Sequence, residues 1–249
     1  MYQYAQTNLQ LFNQLRRDGY SNSELACIFN AYKLVTSLFT GCFRPSGKTF
    51  IAHLVGTASI LSSLHAPANV VAAGLLHAAY TNGDFGGSGK RGISKAKREH
   101  LTRAVGQEVE EYVARYTALQ WNEHTIPAIY DRFDALDPID RDVLLIRLAN
   151  ELEEYLDLSI LYCANVHQQE YANHNHRFVV DMAEKLGFPA LGDELTKVLR
   201  ETTSAEIPVE LRNRSGKNFP TFIAPKRKKP LSSRFRRAID RRLRHLLSA

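Results

Sequence analysis

Through most of the first two hundred positions apolar residues return every three or four residues, the period of an α-helix with one buried face. Strand signals are scarce. Only 207–224, with Pro208 and Pro220 inside it, reads as extended, and its composition is that of a linker. The fold class that follows is all-α. Leu9, Phe12 and Leu15 form a first stripe that stops at Gly19, after which Ser21 and Glu24 have capping-box spacing. Leu25, Ile28, Phe29, Tyr32, Val35 and Phe39 supply the buried face of that second helix, and Gly41 ends it. A helix over 50–64 places Leu54, Thr57, Ile60, Leu61 and Leu64 on one face; another, opened by Pro67, runs to Tyr80 and packs against it as an antiparallel partner. Gly83, Gly86, Gly87 and Gly89 then mark an irregular loop, read as a lip over a cleft. A polar helix is expected from near Ser94 to about Tyr116. Asp137 as N-cap and Pro138 as first helical residue announce a long helix to about Cys163, and further helices follow to about Thr203.

With 249 residues, 44% of them apolar and 23% charged, the chain is sized for one soluble domain with appendages. We divide it into a helical domain over 1–206, an extended linker over 207–224 and a basic tail over 225–249. The net charge of +6 sits in that tail, which holds ten Lys/Arg against Asp240 and so carries +9, leaving 1–224 at −3. Within it Leu231, Phe235, Ala238, Ile239, Leu243, Leu246 and Leu247 fall on one helical face among arginines, giving a cationic amphipathic helix. Such a segment suits an anionic membrane surface or a protein partner. Nucleic acid fits less well, because Phe235 is the one aromatic among the cations. Cys27, Cys42 and Cys163 lack metal-ligand or disulfide-framework spacing, and the first residues lack a secretory pattern. No apolar run reaches the roughly 20 residues of a membrane span. A cytoplasmic location, peripheral at the inner membrane face through the tail, is the expectation.

Three segments carry chemistry: RPSGKTFIAH at 44–53, GLLHAAYTNGDF at 74–85 and IRLANELEEYL at 146–156. In order and spacing they resemble the HD (His-Asp) superfamily of metal-dependent phosphohydrolases, and within it the hydrolase domain of bifunctional RelA/SpoT proteins. The resemblance spans about 44–156. It implies a helical bundle in which His53, His77, Ala78 and Asn150 stand where two histidines and two aspartates would hold a divalent ion. Two carboxylates of that set are here a methyl group and an amide. Mn²⁺ and Mg²⁺ prefer charged oxygen ligands, whereas His53, His77 and Asn150 together suit Zn²⁺ or Fe²⁺ better. The cofactor expected, if any, is therefore a divalent Mn, Fe or Zn ion.

The acidic pair that the resemblance implies after the doublet reads Thr81 and Asn82, with Asp84 two residues on as a substitute. Arg44, Ser46 and Lys48 match positions that contact a guanine nucleotide in the similar hydrolases. On the long helix Arg147, Asn150, Glu154 and Asp157 recur at three- and four-residue intervals on one face, and two carboxylates there would repel polyphosphate unless a metal intervened. Alarmone hydrolysis is thus not expected. Two functions remain open. In the first, the chain is a divergent phosphohydrolase-like protein whose ancestral metal-dependent hydrolysis is altered or lost, its cleft taking a small-molecule ligand, with His53, His77 and Asn150 on a metal, Arg44, Ser46, Lys48 and Arg147 on substrate, and Asp84 or Glu154 moving protons. In the second, the chain is a noncatalytic binding or adaptor module that reaches a membrane or a membrane-bound biosynthetic enzyme through its basic tail. The plainer reading of the same residues makes RPSGK a turn and Glu151, Glu153 and Glu154 a solvated charge run. His174 and His176 belong to a polar helix surface.

Overall fold

The computed structural model describes residues 4–86, 91–156, 158 and 166–206, with backbone alone for 166–175. Among these residues there is no strand, only one isolated bridge between Phe43 and Thr49. The helices are α1 (Asn8–Arg17), α2 (Asn22–Phe39), α3 (Phe50–Ser63), α4 (Ala68–Leu76), α5 (Ala79–Asn82), α6 (Lys95–Val105), α7 (Gln107–Ala118), α8 (Thr125–Asp131), α9 (Pro138–Tyr155), α10 (Val166–Lys185) and α11 (Pro189–Ser204). None of the described helices is long and apolar enough to cross a membrane. The linker, the basic tail, Asp157 and Cys163 lie outside the described residues.

Local signals set several boundaries as expected. The Ser21 side chain accepts from Glu24 N while Glu24 reaches back to the Ser21 backbone, and Asp137 accepts from Asp140 N ahead of Pro138. Gly41 follows α2 at φ +74°. Two expected helices are instead divided. The segment from Ser94 breaks at Gly106, whose φ of +88° no helix accommodates, and the segment from Pro67 breaks between Leu76 and Ala79. The long helix ends at Tyr155 rather than near Cys163. Two residues of the expected buried stripes are exposed: Leu9 and Phe29. The core side of α1 is Leu11, Gln14 and Leu15, and that of α2 is Ile28, Ala31, Leu34, Val35, Leu38 and Phe39. At 100° per residue, Leu9 and Phe29 fall well off those centres.

Helix α3 is the hub, with every residue from His53 to Ser62 buried and α1, α2, α4 and α9 packed around it. Its polar members are satisfied internally. Ser59 Oγ accepts from Ala5 N at 2.8 Å and donates to Gln14 Oε1 at 2.5 Å, and Ser62 Oγ donates to Asp18 Oδ2 at 2.6 Å. Two glycines let its neighbours close in. A Cβ on Gly74 of α4 would lie 2.4 Å from Leu61 Cδ1, and one on Gly56 of α3 would lie 2.8 Å from Glu153 Oε1 on α9. These close approaches bring the three site-bearing helices within side-chain reach. Because Leu61 is fully buried and has little room to move, Gly74→Ala is expected to cost about 1–3 kcal/mol of stability by overpacking. A denaturant midpoint unchanged from wild type would contradict the tight crossing.

Candidate functional site

The turn before α3 aims two cations at α9. Arg44 N donates to Lys48 O at 2.8 Å and Gly47 N to Arg44 O at 2.9 Å, with Gly47 at φ +88°, so RPSGK is a tight turn. The turn reading of this segment holds, and from the turn Arg44 and Lys48 each reach a glutamate of α9. His53 is on the first turns of α3, His77 caps the C-terminal end of α4, and α9 supplies Arg147, Asn150, Glu151, Glu153 and Glu154.

These residues converge. His53 Nε2 lies 3.3 Å from His77 Nε2 and 2.8 Å from Arg44 Nη1, and the second Arg44 nitrogen donates to Glu154 Oε1 at 2.8 Å. Asn150 Nδ2 also reaches Glu154 Oε1, at 3.3 Å. Behind the pair, Glu153 bonds His53 Nδ1 with one oxygen and Lys48 Nζ with the other. Arg147 pairs with Glu151, donates to the Tyr116 hydroxyl at 2.9 Å and stacks at 5.3 Å from the Trp121 ring.

Hydrogen-bond chemistry fixes the tautomers. His77 Nδ1 stands 2.8 Å from Gly74 O, which can only accept, so Nδ1 carries the proton and Nε2 is a bare lone pair. Arg44 can only donate, so His53 Nε2 is an acceptor and its proton sits on Nδ1, facing Glu153. Burial, reinforced by the positive charge of Arg147, pushes His77 down to about 3, so it stays neutral at physiological pH. Burial alone would raise Glu154, but Arg44 and then Arg147 hold it at about 2. Burial raises Glu151 against the pull of Arg147, and it lifts Tyr116 to about 12.

A lowered imidazole has a definite consequence for stability. The unfolded chain takes up a proton at His77 below about pH 6.5, whereas the folded chain resists it until about 3. That contribution is therefore complete above pH 6.5 and is lost as pH falls toward 3, at up to about 1.4 kcal/mol per pH unit. The raised Glu151 works in the opposite sense but is common to wild type and a His77→Gln variant. Unfolding measured between pH 7 and 4.5 is expected to show wild type losing stability faster than the variant; parallel curves would contradict a neutral buried His77.

The donor set does not fit a divalent ion. Ala78 has no lone pair to offer, Asn150 is neutral, and Glu154 is already held by Arg44. The lone pair on His53 Nε2 that a metal would need accepts from a guanidinium, whose positive charge would repel a dication. Glu153, Glu154 and Glu151 face Lys48, Arg44 and Arg147 respectively, so the cluster is charge-balanced as it stands. No three His, Cys, Asp or Glu side chains among the described residues are gathered to hold a metal. One loose end remains on Asn150, whose buried Oδ1 has no hydrogen-bond partner among the described residues.

Of the residues singled out in the sequence, Arg44, Lys48, His53, His77, Asn150 and Glu154 belong to this cluster, and Arg147 joins it through Glu151 and Tyr116. Ser46 stands in the turn with its Oγ buried and without a hydrogen-bond partner among the described residues. Asp84 has contacts outside the cluster: its backbone N donates to Leu38 O at 2.9 Å, and its carboxylate accepts from Gly86 N at 3.0 Å. Glu151 and Glu153 are buried, which corrects their reading as a solvated run. Glu153 is the central residue that sequence reasoning missed. Its signal was its position three residues after Asn150 on the helix face turned toward Gly56.

A family model described as a domain of unknown function (DUF6817) matches residues 34–120, a stretch that includes His53 and His77 but ends before Asn150. No curated protein matches the chain.

Proposed function

We propose that this chain is a noncatalytic, metal-independent relative of the HD phosphohydrolases, in which the ancestral hydrolysis has been lost and the old site serves as a locked structural centre for a binding or adaptor module. The observation that carries this reading is Arg44, placed 2.8 Å from both His53 Nε2 and Glu154 Oε1. A guanidinium there supplies the positive charge that a divalent ion would bring, without exchangeable coordination positions for water or substrate. The methyl group of Ala78 and the amide of Asn150 support the same conclusion, since neither can supply the charged oxygen ligands of a hydrolytic centre. An adaptor role draws support from the +9 charge and apolar stripe of 225–249, a composition suited to an anionic surface or an acidic partner.

The test is metal titration of tag-free protein with Mn²⁺, Fe²⁺ and Zn²⁺ by calorimetry. It is paired with a screen against phosphomonoesters, nucleotides and pyrophosphate, comparing wild type with His77→Ala. The expected result is no stoichiometric binding and no turnover that depends on His77. One bound ion per chain with activity abolished in the variant would replace this reading with that of a divergent hydrolase.

A further inference from the structure

The helices α1 and α2 share a face that the core does not use. Leu9 is 72% exposed and Phe29 47%, and Phe12 stands between the helices with its ring 5.7 Å from Phe29 and 6.2 Å from Tyr32. Around these apolar groups are exposed Arg16, Arg17 and Lys33, which make no ion pair among the described residues. Lys33 Nζ rests 5.3 Å from the Phe29 ring centre. Helix α1 contains no acidic residue. The two carboxylates nearest in sequence are turned to other work, Asp18 bonding Ser62 and Glu24 capping α2 at Ser21. At 100° per residue Leu9, Phe12, Asn13 and Arg16 fall on one side of α1, and Asn22, Ala26, Phe29 and Lys33 on one side of α2.

Single exposed apolar residues are ordinary. Leu9 one helical turn from Phe12, Phe29 against the Phe12 ring, and cations beside them that make no ion pair among the described residues are a different combination, and we infer that this α1–α2 face docks on an anionic lipid bilayer. Leu9 and Phe29 would enter the head-group boundary, with Arg16, Arg17 and Lys33 against lipid phosphates. The alternatives are disfavoured by charge or shape. A second copy, or the chain's own basic 225–249 segment, would bring like charges together over the apolar centre. Nucleic acid would need ring faces for base stacking, but the most exposed apolar group is the aliphatic Leu9 and the Phe29 face is shared with Lys33. This surface is separate from the histidine cluster and does not depend on the loss of hydrolysis.

The experiment is sedimentation of the full chain with phosphatidylcholine vesicles and with vesicles containing phosphatidylglycerol. Wild type is compared with Leu9→Ser/Phe29→Ser and with Arg16→Glu/Lys33→Glu. All carry the same basic tail, so differences report on the α1–α2 face alone. Because the changed residues are exposed, unfolding midpoints are expected to match wild type. Partitioning onto anionic vesicles should fall about tenfold or more for the first variant. For the charge reversal the fall should be about thirtyfold or more. Failure of wild type to sediment with anionic vesicles, or either variant retaining wild-type partitioning, would overturn the inference. Loss of single-stranded RNA binding with vesicle binding intact would overturn it in favour of nucleic acid.

Discussion

Glu153→Ala is expected to lower the free energy of unfolding by about 3–5 kcal/mol, the scale at which removing one partner from a buried ion pair operates. Glu153 is 2% exposed and serves two cationic or donating groups at once, His53 Nδ1 and Lys48 Nζ. Truncation leaves the His53 N–H facing a cavity, strands the ammonium of a largely buried Lys48 and removes the atoms against which Gly56 packs. Glu153→Gln keeps the shape and one acceptor but loses the charge, so its cost should be smaller, about 1–3 kcal/mol. Guanidinium unfolding with a common slope would measure both. A loss under about 1 kcal/mol for the alanine variant would mean that the cluster is dispensable to the fold, contrary to its role as a locked centre.

The second large effect is a gain. Ala78→Asp together with Asn150→Asp places two carboxylates at the positions implied by the HD resemblance, one directly after His77 at the end of α4 and one on α9 with the glutamates of the cluster. Without metal, both new charges are buried, since Ala78 and Asn150 are 7% and 1% exposed, and the doubly substituted protein should be less stable than wild type by several kcal/mol, roughly. Added Mn²⁺ or Zn²⁺ should then recover that loss by binding the folded state, with an affinity about 100-fold or more above that of wild type. Wild type should show no such response, because Arg44 already compensates the site. A double variant indifferent to metal would argue that the helices do not present an HD-like cage at all.

What the sequence revealed and what it concealed follow from the range of the interactions. Caps at Ser21–Glu24 and Asp137–Pro138 depend on neighbours three residues away and could be read directly. The meeting of His53, His77 and Asn150 is long-range, yet the spacing of three motifs pointed to it. Glu153 escaped notice because its burial is decided across the α3–α9 crossing, where Gly56 leaves room for it; viewed along its own helix it is one of a run of acids between leucines. Leu9 and Phe29 matched an apolar period, but which side of a helix meets the core depends on helices not adjacent in sequence. Arg44 matches a substrate-contact position by motif, and nothing within its own segment indicates that its guanidinium is taken up by His53 and Glu154, one nine residues on and the other across the bundle.

A guanidinium occupies the side of the imidazole pair from which a metal would be held. Long-range nitrogen–proton NMR correlations of the histidine side chains test this by observing the nitrogens themselves. His53 and His77 are both expected to be protonated at Nδ1 and unprotonated at Nε2, and neither signal is expected to move when Zn²⁺ is added at neutral pH. Nε2 resonances of both rings shifting together on addition of one equivalent of zinc would contradict that placement of the guanidinium.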